Sequence, residues 1–400
     1  MNQPTQSHDP WSAPALPDSP VYEVVGDVVA AGRRLGLAVT GGGSRAVTWL
    51  LDHPGASAAV AEACIPYDEA ALAAYLSGPG PHRVAPETAR RLALRARERV
   101  ISLGLSCDDD IGDVAVGVGC TAALVTSRQR RGADRGHVAC RGPERYWVHE
   151  LAMERGAASR HDQEGALSAA LLHAVAAACG QDSQSLPGLP AWAGHESREV
   201  PVHAGLEDLL EGRCQALWWR GSAPAAERGL LLVPGSFNPL HRGHLGLLTA
   251  AASRSGRTAA LELSVANVDK PTLGYEEVLR RVEALPDHLP VVLTRAPTFV
   301  EKVRLFPGAW YAIGCDTAAR LVDAVYYEGS GLDVDRALDE MARLGAHFVV
   351  AGRVCAGRFA TVADLALPPG RADLFTGLTE SEFRADISST ELRAHAEEST

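Results

Sequence analysis

The second half of the chain alternates short, continuous apolar runs with segments of helical periodicity. A continuous apolar run indicates a strand that is covered on both faces, as in a parallel sheet. Repeated strand–helix units with right-handed crossovers predict a doubly wound parallel sheet. Ligands bind at the carboxyl ends of the strands in such a sheet, so the loops after the apolar runs are where we expect a site. The runs are residues 228–235, 259–265, 290–295, 309–314 and 346–353.

Composition divides the 400 residues into four parts. Residues 1–20 are rich in Pro, Ser and Asp, which indicates a disordered arm. Residues 21–180 alternate Ala-rich helical text, beginning with a predicted helix at 24–35, with short apolar strands, and this pattern predicts an α/β domain. Residues 181–205 are polar, contain prolines and have no periodicity, so we interpret them as a linker. Residues 206–400 form the predicted second domain, which opens with a predicted helix at 206–219.

Net charge and cysteine spacing limit which kinds of partner and site this chain can have. A formal net charge of −11 disfavours general binding of nucleic acid through its phosphates, although a local pocket for a small phosphate ligand remains open. The eight cysteines show no CxxC pair or zinc spacing, and we interpret them as reduced thiols. There is no signal-peptide pattern and no run of ~20 apolar residues. We therefore expect a cytoplasmic protein with no nucleic-acid or membrane partner; a homo-oligomeric state and the binding of small-molecule nucleotides are separate expectations.

The loop GSFNPLHRGH at 235–244 follows the first of these apolar runs and leads into a helix. Gly235 allows the backbone to approach a ligand, and a helix that begins near His241 offers free N–H groups and a positive dipole end to an anion. His241 and His244 project to the same side of that helix end. The glycine spacing matches neither GxGxxG nor a P-loop. Two surface histidines or a metal pair are the alternatives, although a zinc site usually needs three or four ligands, and we predict no protein metal site.

A second loop, DISSTELR at 386–393, has the composition of another helix opening. Asp386 or Ser388 can cap a helix, hydroxyl groups lie in the first turn, and Arg393 adds a guanidinium. A plain capped surface helix is the alternative. Two such openings in one domain would suit a triphosphate held between them.

These segments resemble a known family. HRGH at 241–244 resembles the HxGH signature of the nucleotidyltransferase superfamily, ISSTELR at 387–393 resembles the ISSTxxR signature of nicotinamide/nicotinate mononucleotide adenylyltransferases, and AIGCD at 312–316 resembles their IGxD strand end. The resemblance implies a Rossmann-like domain that transfers AMP from ATP, with Mg²⁺ bridging phosphate oxygens. It implies that His241 and His244 stabilise the transition state. The other implied substrate-binding residues are Gly235, Ser236, Phe237, Gly314, Asp316, Ile387, Ser388, Ser389, Thr390 and Arg393.

Several residues have weaker assignments. Asp316 would contact a ribose or the metal, or else cap a helix. Trp310 and the adjacent Tyr311 would stack on the acceptor nucleotide, or else pack in the sheet. Lys270 and Arg353 would bind the acceptor phosphate, or else be solvated. Another acceptor, of the phosphopantetheine or glycerol phosphate type and used with CTP, is an alternative function, and a non-enzymatic nucleotide sensor is a second alternative.

The first domain resembles the C-terminal domain of the competence-damage-inducible (CinA) family, a nicotinamide mononucleotide deamidase, over residues 37–57. Aligning on Pro54 and Gly55 places Thr40 where the family has its nucleophilic serine, followed by Gly41 and Gly42. The segment at 67–78 resembles a family segment that carries a catalytic lysine, and Leu72 stands at that position. A hydroxyl nucleophile needs a base, and leucine cannot be one. We therefore predict a CinA-like fold that has lost turnover and keeps a vestigial nucleotide site at Thr40, Gly41 and Gly42; a tight turn before a helix is the alternative.

Overall fold

The computed structural model describes residues 19–77, 82–104, 110–127, 132–186, 188–225, 229–268, 271–327, 333–355 and 358–384. The predicted arm at 1–20 lies outside this description except for its last two residues, where Ser19 caps the first helix. The chain divides into two compact units, Met1–Val202 and His203–Thr400, and each is described by itself. Among the described residues, no helix has both the length and the apolar character needed to cross a bilayer.

The first unit is a mixed α/β fold around a six-stranded sheet of order β2-β1-β3-β4-β5-β6. Strands β2, β1 and β3 are parallel, whereas β3 to β6 form an antiparallel meander. The strands are β1 Arg34–Thr40, β2 Val60–Cys64, β3 Ala115–Ala123, β4 Asp134–Arg141, β5 Arg145–Met153 and β6 Ala193–Pro201. The helices are α1 Pro20–Ala30, α2 Ser44–Asp52, α3 Ala56–Ala59, α4 Glu69–Tyr75, α5 Pro86–Gly104, α6 Ile111–Val114 and α7 Arg160–Ala178.

Alternation along the central strands gives the first sheet two different faces. Buried Val116, Val118 and Cys120 of β3 join the core formed with α1, α2 and α7. The opposite face of β3 carries glycine: a Cβ on Gly117 would lie 1.9 Å from the carbonyl oxygen of Ala93 in α5. Helix α5 therefore packs directly on the strand backbone, and the unit has a helix–sheet–helix layering.

Two predictions for the first half are wrong in position. The predicted helix at 24–35 ends earlier, because the chain turns through Gly32 at φ +68° and residues 34–40 form β1. Within the predicted linker at 181–205, residues 193–201 form β6, which pairs with β5 along its whole length. Strand β6 is an edge strand whose side chains are mostly exposed, so its polar composition does not show the apolar alternation by which a strand is recognised.

The second unit has the predicted doubly wound α/β fold. Its seven-stranded sheet has the order β15-β12-β11-β8-β9-β10-β7, in which all strands are parallel except β7 at the edge. Its strands are β7 Ala216–Arg220, β8 Leu230–Pro234, β9 Thr258–Ser264, β10 Val291–Thr294, β11 Trp310–Gly314, β12 His347–Ala351 and β15 Phe375–Leu378; β13 Arg353–Cys355 and β14 Arg358–Ala360 form a separate hairpin. Its helices are α8 Ala204–Leu210, α9 Arg242–Ser255, α10 Tyr275–Glu283, α11 Phe299–Leu305, α12 Cys315–Leu321 and α13 Val334–Arg343.

The strand order of the second sheet reverses at β8. Strands β9 and β10 follow on one side of β8, whereas β11, β12 and β15 follow on the other. Such a reversal opens a crevice at the carboxyl ends of the two strands that flank it, here β8 and β11. The predicted helix at 206–219 is wrong: α8 ends at Leu210, the chain turns through Gly212 at φ +79°, and residues 216–220 form β7 antiparallel to β10.

A buried ion pair lies in the core of the second unit. Glu262 of β9 is fully buried, Lys302 of α11 is 5% exposed, and Lys302 Nζ lies 2.7 Å from Glu262 Oε1. Thr294 of β10 donates its hydroxyl hydrogen bond to the same carboxylate oxygen. A carboxylate in this position is tolerated only with such partners, because desolvation otherwise makes a buried charge costly.

A cavity of about 550 Å³ in the first unit contains three histidines. The Nδ1 atom of His149 lies 3.0 Å from Nε2 of His195, so that one ring donates a hydrogen bond to the other, and His173 lines the same cavity. Burial, assisted by the neighbouring His195, lowers the pKa of His149 to about 3, and burial also lowers the pKa of His195. The folded state therefore favours the neutral imidazoles.

We expect this histidine pair to make the first unit less stable as pH falls. Unfolded histidines take up protons near pH 6.5 whereas folded His149 does so near pH 3, so stability is lost progressively as pH falls from about 6.5 to 3, with a slope of about 1.4 kcal/mol per pH unit for this group. Urea unfolding of the wild type and of His149→Gln between pH 7 and pH 4 measures the slope. Equal slopes for the two proteins would contradict this assignment.

Candidate active site

The loop at residues 235–241, called the HRGH loop because it leads into the HRGH motif, lies at the reversal point of the second sheet. Strand β8 ends at Pro234, residues 235–241 form the loop, and α9 begins at Arg242 with His241 as its N-cap residue. Pairing of β8 with β11 covers only Leu231 and Leu232, two residues short of the end of β8. The loop therefore opens into the crevice where this class of sheet binds its ligands.

His241 and His244 form a close pair. Their ring centroids are 3.8 Å apart with an interplanar angle of 27°, and Nδ1 of His244 accepts a hydrogen bond from the backbone N–H of His241 at 3.3 Å. A neutral His244 ring with Nδ1 as acceptor carries its proton on Nε2. Nδ1 of His241 is buried and has no hydrogen-bond partner within the part of the chain that the structure describes. Two imidazoles in contact at a helix N-terminus are suited to donating hydrogen bonds to an anion.

Both rings resist protonation in the free protein. Burial, followed by the charge on His241, lowers the pKa of His244 to about 4, and burial lowers the pKa of His241. At neutral pH the pair is therefore uncharged and serves as hydrogen-bond donors. Bound phosphate would favour the protonated forms, because an opposite charge nearby raises the pKa of an imidazole.

Phe237 packs against the ring of His244. Its side chain is 2% exposed, its ring meets the ring of His244 edge-on at a centroid distance of 5.1 Å, and its φ is 45°. A Cβ on Gly235 would lie 2.5 Å from the Phe237 ring, so glycine there makes room for that ring. Glycine at 235 thus makes room for a side chain of the protein, and the buried Phe237 ring supports His244 and is not part of an open substrate surface.

Helix α10 holds the same loop from the side. Arg281 Nη1 donates a hydrogen bond to the carbonyl oxygen of Ser236 at 3.1 Å, and Arg280 Nη2 donates one to Oδ1 of Asn238 at 3.1 Å. Glu277 accepts hydrogen bonds from both guanidinium groups, which hold its pKa at about 2. Sequence reasoning missed these residues, because charges at i, i+3 and i+4 are also the usual pattern of a solvated helix face.

The carboxyl ends of β11 and β12 carry Gly314, Asp316 and Arg353. Gly314 ends β11 and is the N-cap residue of α12, so Asp316 is a first-turn residue and not the cap. Asp316 and Arg353 form an ion pair with each other. Both residues lie at the end of the sheet where a ligand is expected, and the charges of Asp316 and Arg353 neutralise each other.

Trp310 lies at the wrong end of its strand for the predicted stacking role. It begins β11, whereas the crevice lies at the end of that strand, and its ring packs under the Arg257 guanidinium at 4.5 Å and beside His347 at 4.2 Å. Tyr311 is fully buried among Phe299 and Phe348. Both aromatic residues therefore serve sheet packing, which was the alternative.

The second predicted anion site, with Ile387, Ser388, Ser389, Thr390 and Arg393, lies outside the described residues, as does Lys270. The described chain ends at Arg384, beside α9. Arg384, Phe383 and Arg242 line one cavity of about 1220 Å³, and a Cβ on Gly246 would lie 2.9 Å from the Phe383 ring. The chain thus reaches the HRGH helix two residues before DISSTELR begins.

Among the described residues, no group of three or more His, Cys, Asp or Glu side chains is arranged to hold a metal ion. Asp316, which follows the carboxyl end of β11, forms an ion pair with Arg353.

The predicted vestigial site of the first unit lies in a cavity of about 490 Å³ lined by Thr40, Gly41 and Gly42. Gly41 has φ +78°, and a Cβ there would lie 2.1 Å from the carbonyl oxygen of Ala122. Leu72 is buried in a separate apolar cluster with Leu76 and Leu92.

The anion-binding groups of that cavity are already occupied by the chain itself. The Glu164 carboxylate accepts hydrogen bonds from the backbone N–H groups of Gly43 at 3.0 Å, Ser44 at 2.7 Å and Arg45 at 3.3 Å, and from the Ser44 hydroxyl at 2.9 Å. Glu164 thereby caps α2 from another helix, as a bound phosphate otherwise would.

Glu164→Ala should destabilise the first unit by about 2 kcal/mol, because it removes a cap and leaves backbone donors of α2 without partners. It should also let inorganic phosphate raise the unfolding temperature, since the freed N–H groups then form an anion site. Thermal unfolding with and without phosphate measures both effects. Glu154→Ala, on an exposed loop residue, is the control, and the same phosphate response in the wild type would show that Glu164 does not occupy the cradle.

Residues 232–395 match the cytidylyltransferase-like family. The match supports a nucleotidyltransferase-like domain over these residues. No curated protein matches the chain.

Solved structures similar to the N-terminal portion belong to the CinA superfamily. A competence-damaged protein superfamily member from Escherichia coli shares 15% identity and a TM-score of 0.31 over 39% of this chain and 85% of its own. A competence/damage inducible protein from Agrobacterium tumefaciens shares 18% identity and a TM-score of 0.32 over 42% of this chain and 99% of its own.

Proposed function

We propose that the second unit transfers the adenylyl group of ATP to a pyridine mononucleotide, either nicotinamide or nicotinate mononucleotide, and releases pyrophosphate in NAD metabolism. The contact pair of His241 and His244 at the start of α9, beside the reversal point of the sheet, carries this proposal. A cytoplasmic location and a homo-oligomeric state belong to the same proposal.

The chemistry requires alignment and charge stabilisation. An oxygen of the acceptor phosphate attacks the α-phosphorus of ATP, the new P–O–P bond forms, and the bond to the β-phosphate breaks as pyrophosphate leaves. The acceptor is already an anion, so no covalent protein nucleophile is needed. The imidazole N–H groups and the positive end of α9 would stabilise the charge that develops at the α-phosphate. When bound, Mg²⁺ would neutralise charge on the phosphate oxygens.

The choice of acceptor rests on the resemblance of ISSTELR to the pyridine-nucleotide enzymes. A role for this segment is supported by the described chain, which reaches α9 at Phe383 and Arg384, three residues before the segment begins. In the proposed arrangement Ser388, Ser389, Thr390 and Arg393 hold the β- and γ-phosphates. At the other wall of the crevice, Asp316 or Arg353 would leave their mutual ion pair and contact the ligand.

The description of the matched family supports a second candidate. A cytidylyltransferase-like domain also fits transfer of CMP from CTP to another phosphate ester, of the phosphopantetheine or glycerol phosphate type. A nucleotide sensor without turnover is the remaining alternative. For the first unit we propose no deamidase turnover, since Leu72 offers no base and Glu164 fills the anion cradle.

One assay separates these functions. The full chain is incubated with Mg²⁺, either ATP or CTP, and each of nicotinamide mononucleotide, nicotinate mononucleotide, phosphopantetheine and glycerol 3-phosphate, and products are separated by chromatography. Dinucleotide from ATP and a pyridine mononucleotide supports the proposal. Product only with CTP supports the second candidate, and no product from any pair, with ATP binding retained in calorimetry, supports the sensor.

A further inference from the structure

Three side chains of α10 form a clamp around one turn of the HRGH loop. Arg281 reaches the carbonyl of Ser236 on one side of Phe237, and Arg280 reaches the side chain of Asn238 on the other. Glu277 joins the two, at 2.7 Å from Arg280 Nη2 and 2.7 Å from Arg281 Nε. The clamp is therefore one connected network that is anchored to a regular helix.

Phe237, between the two clamped positions, needs external support. Its φ of 45° is a conformation that a bulky residue with a Cβ rarely adopts, so the surrounding structure must hold it there. In that conformation the ring packs against Gly235 and edge-on to His244. A loop that relaxed to negative φ would withdraw the ring from His244.

We infer that Arg281, oriented by Glu277, is a positioning residue for His244: it fixes the Ser236–Phe237 peptide so that the Phe237 ring supports the imidazole at the α9 opening. Arg281 is the stronger half of the clamp, since its side chain is only 12% exposed whereas Arg280 is 56% exposed. Its role deepens the proposed nucleotidyl transfer, on which it rests for the kinetic part of the test only.

The kinetic experiment compares Arg281→Met with two controls in the full chain. Arg281→Met should lower kcat about 10- to 100-fold, because a small misplacement of a catalytic group costs that much, and should leave KM for both substrates within about threefold. Arg281→Lys should recover part of kcat. Arg304→Met breaks a similar arginine–glutamate pair, Arg304 with Glu340, on α11 and should leave both parameters unchanged. A rise in KM with unchanged kcat would show instead that Arg281 contacts substrate.

The second readout needs no activity. Imidazole titration by NMR, with the His244 signal assigned from its loss in His244→Asn, follows the pKa of His244 in each variant. Without the clamp, solvent should reach the ring, and the pKa should rise by one or more units toward its ordinary value, in Arg281→Met and Glu277→Gln but not in Arg304→Met. An unchanged His244 pKa in folded Arg281→Met overturns the inference, even if no acceptor is ever turned over. A shifted pKa without turnover leaves the inference standing and the proposed function refuted.

Discussion

His244→Ala is expected to lower the rate of nucleotidyl transfer by about 10²- to 10³-fold, the usual cost of removing one donor aimed at developing charge. His244 is the more buried member of the pair, is held by the backbone of His241 and rests on Phe237, so its removal takes away both a donor and the order of the second ring. The effect should appear in kcat more than in KM, since the stabilised charge develops only during the reaction. Initial rates with saturating substrates measure it.

His288→Ala is the matched control, because His288 is exposed in the same unit. Its rates should equal those of the wild type. If His244→Ala and His288→Ala had similar kcat values in proteins of equal stability, the histidine pair would not contact the reacting phosphates, and the assignment of the active site to the α9 opening would be wrong.

The largest effect on stability is expected from Lys302→Met. Methionine fills a similar volume but leaves the Glu262 carboxylate buried without its cation, with the Thr294 hydroxyl still donating to Oε1, and breaking a buried pair in this way typically costs about 3–5 kcal/mol. Urea denaturation with a fluorescence readout measures the change in free energy of unfolding. Arg304→Met, which breaks an exposed pair, should cost no more than about 1 kcal/mol.

A double variant tests the mechanism of that loss. Glu262→Gln combined with Lys302→Met removes both charges, so it should be more stable than Lys302→Met alone if the penalty comes from an unpaired buried charge. A double variant that is less stable than either single variant would show that the packing of the two side chains, and not their charge, holds this part of the core.

The parallel sheet could be predicted from sequence because its strands carry continuous apolar runs. Strands β8, β10, β11 and β12 fall within predicted runs, and β9 at Thr258–Ser264 begins one residue before its run; the parallel strand β15 at Phe375–Leu378 was not predicted. The edge strands could not, since β6 has polar exposed side chains and β7 follows α8 after only one turn at Gly212. An edge strand is held by pairing with a distant neighbour, and that pairing leaves no periodic signal in its own residues.

The candidate site shows the same division. His241 and His244 could be assigned from their spacing at a predicted helix start, because the geometry of a helix end is local. The strained turn at Phe237, the clamp from α10 and the pairing of Asp316 with Arg353 depend on contacts between segments 37 to 45 residues apart. The stacking role predicted for Trp310 is wrong because Trp310 begins β11, whereas the IGxD motif lies at the carboxyl end of that strand. Residues that are close in sequence can lie at opposite ends of a strand.

The reversal of strand order at β8 separates two tasks that evolution or an engineer can adjust independently. One wall of the crevice, built from β8 and α9, sits on the central strand of the sheet and would hold the triphosphate in the proposed function. The facing wall comes from the turns after β11 and β12, nearer the border of the sheet, where lengthening or replacing a turn disturbs little of the core. Grafting those outer turns from an enzyme with another acceptor should therefore redirect the product while leaving the triphosphate grip intact.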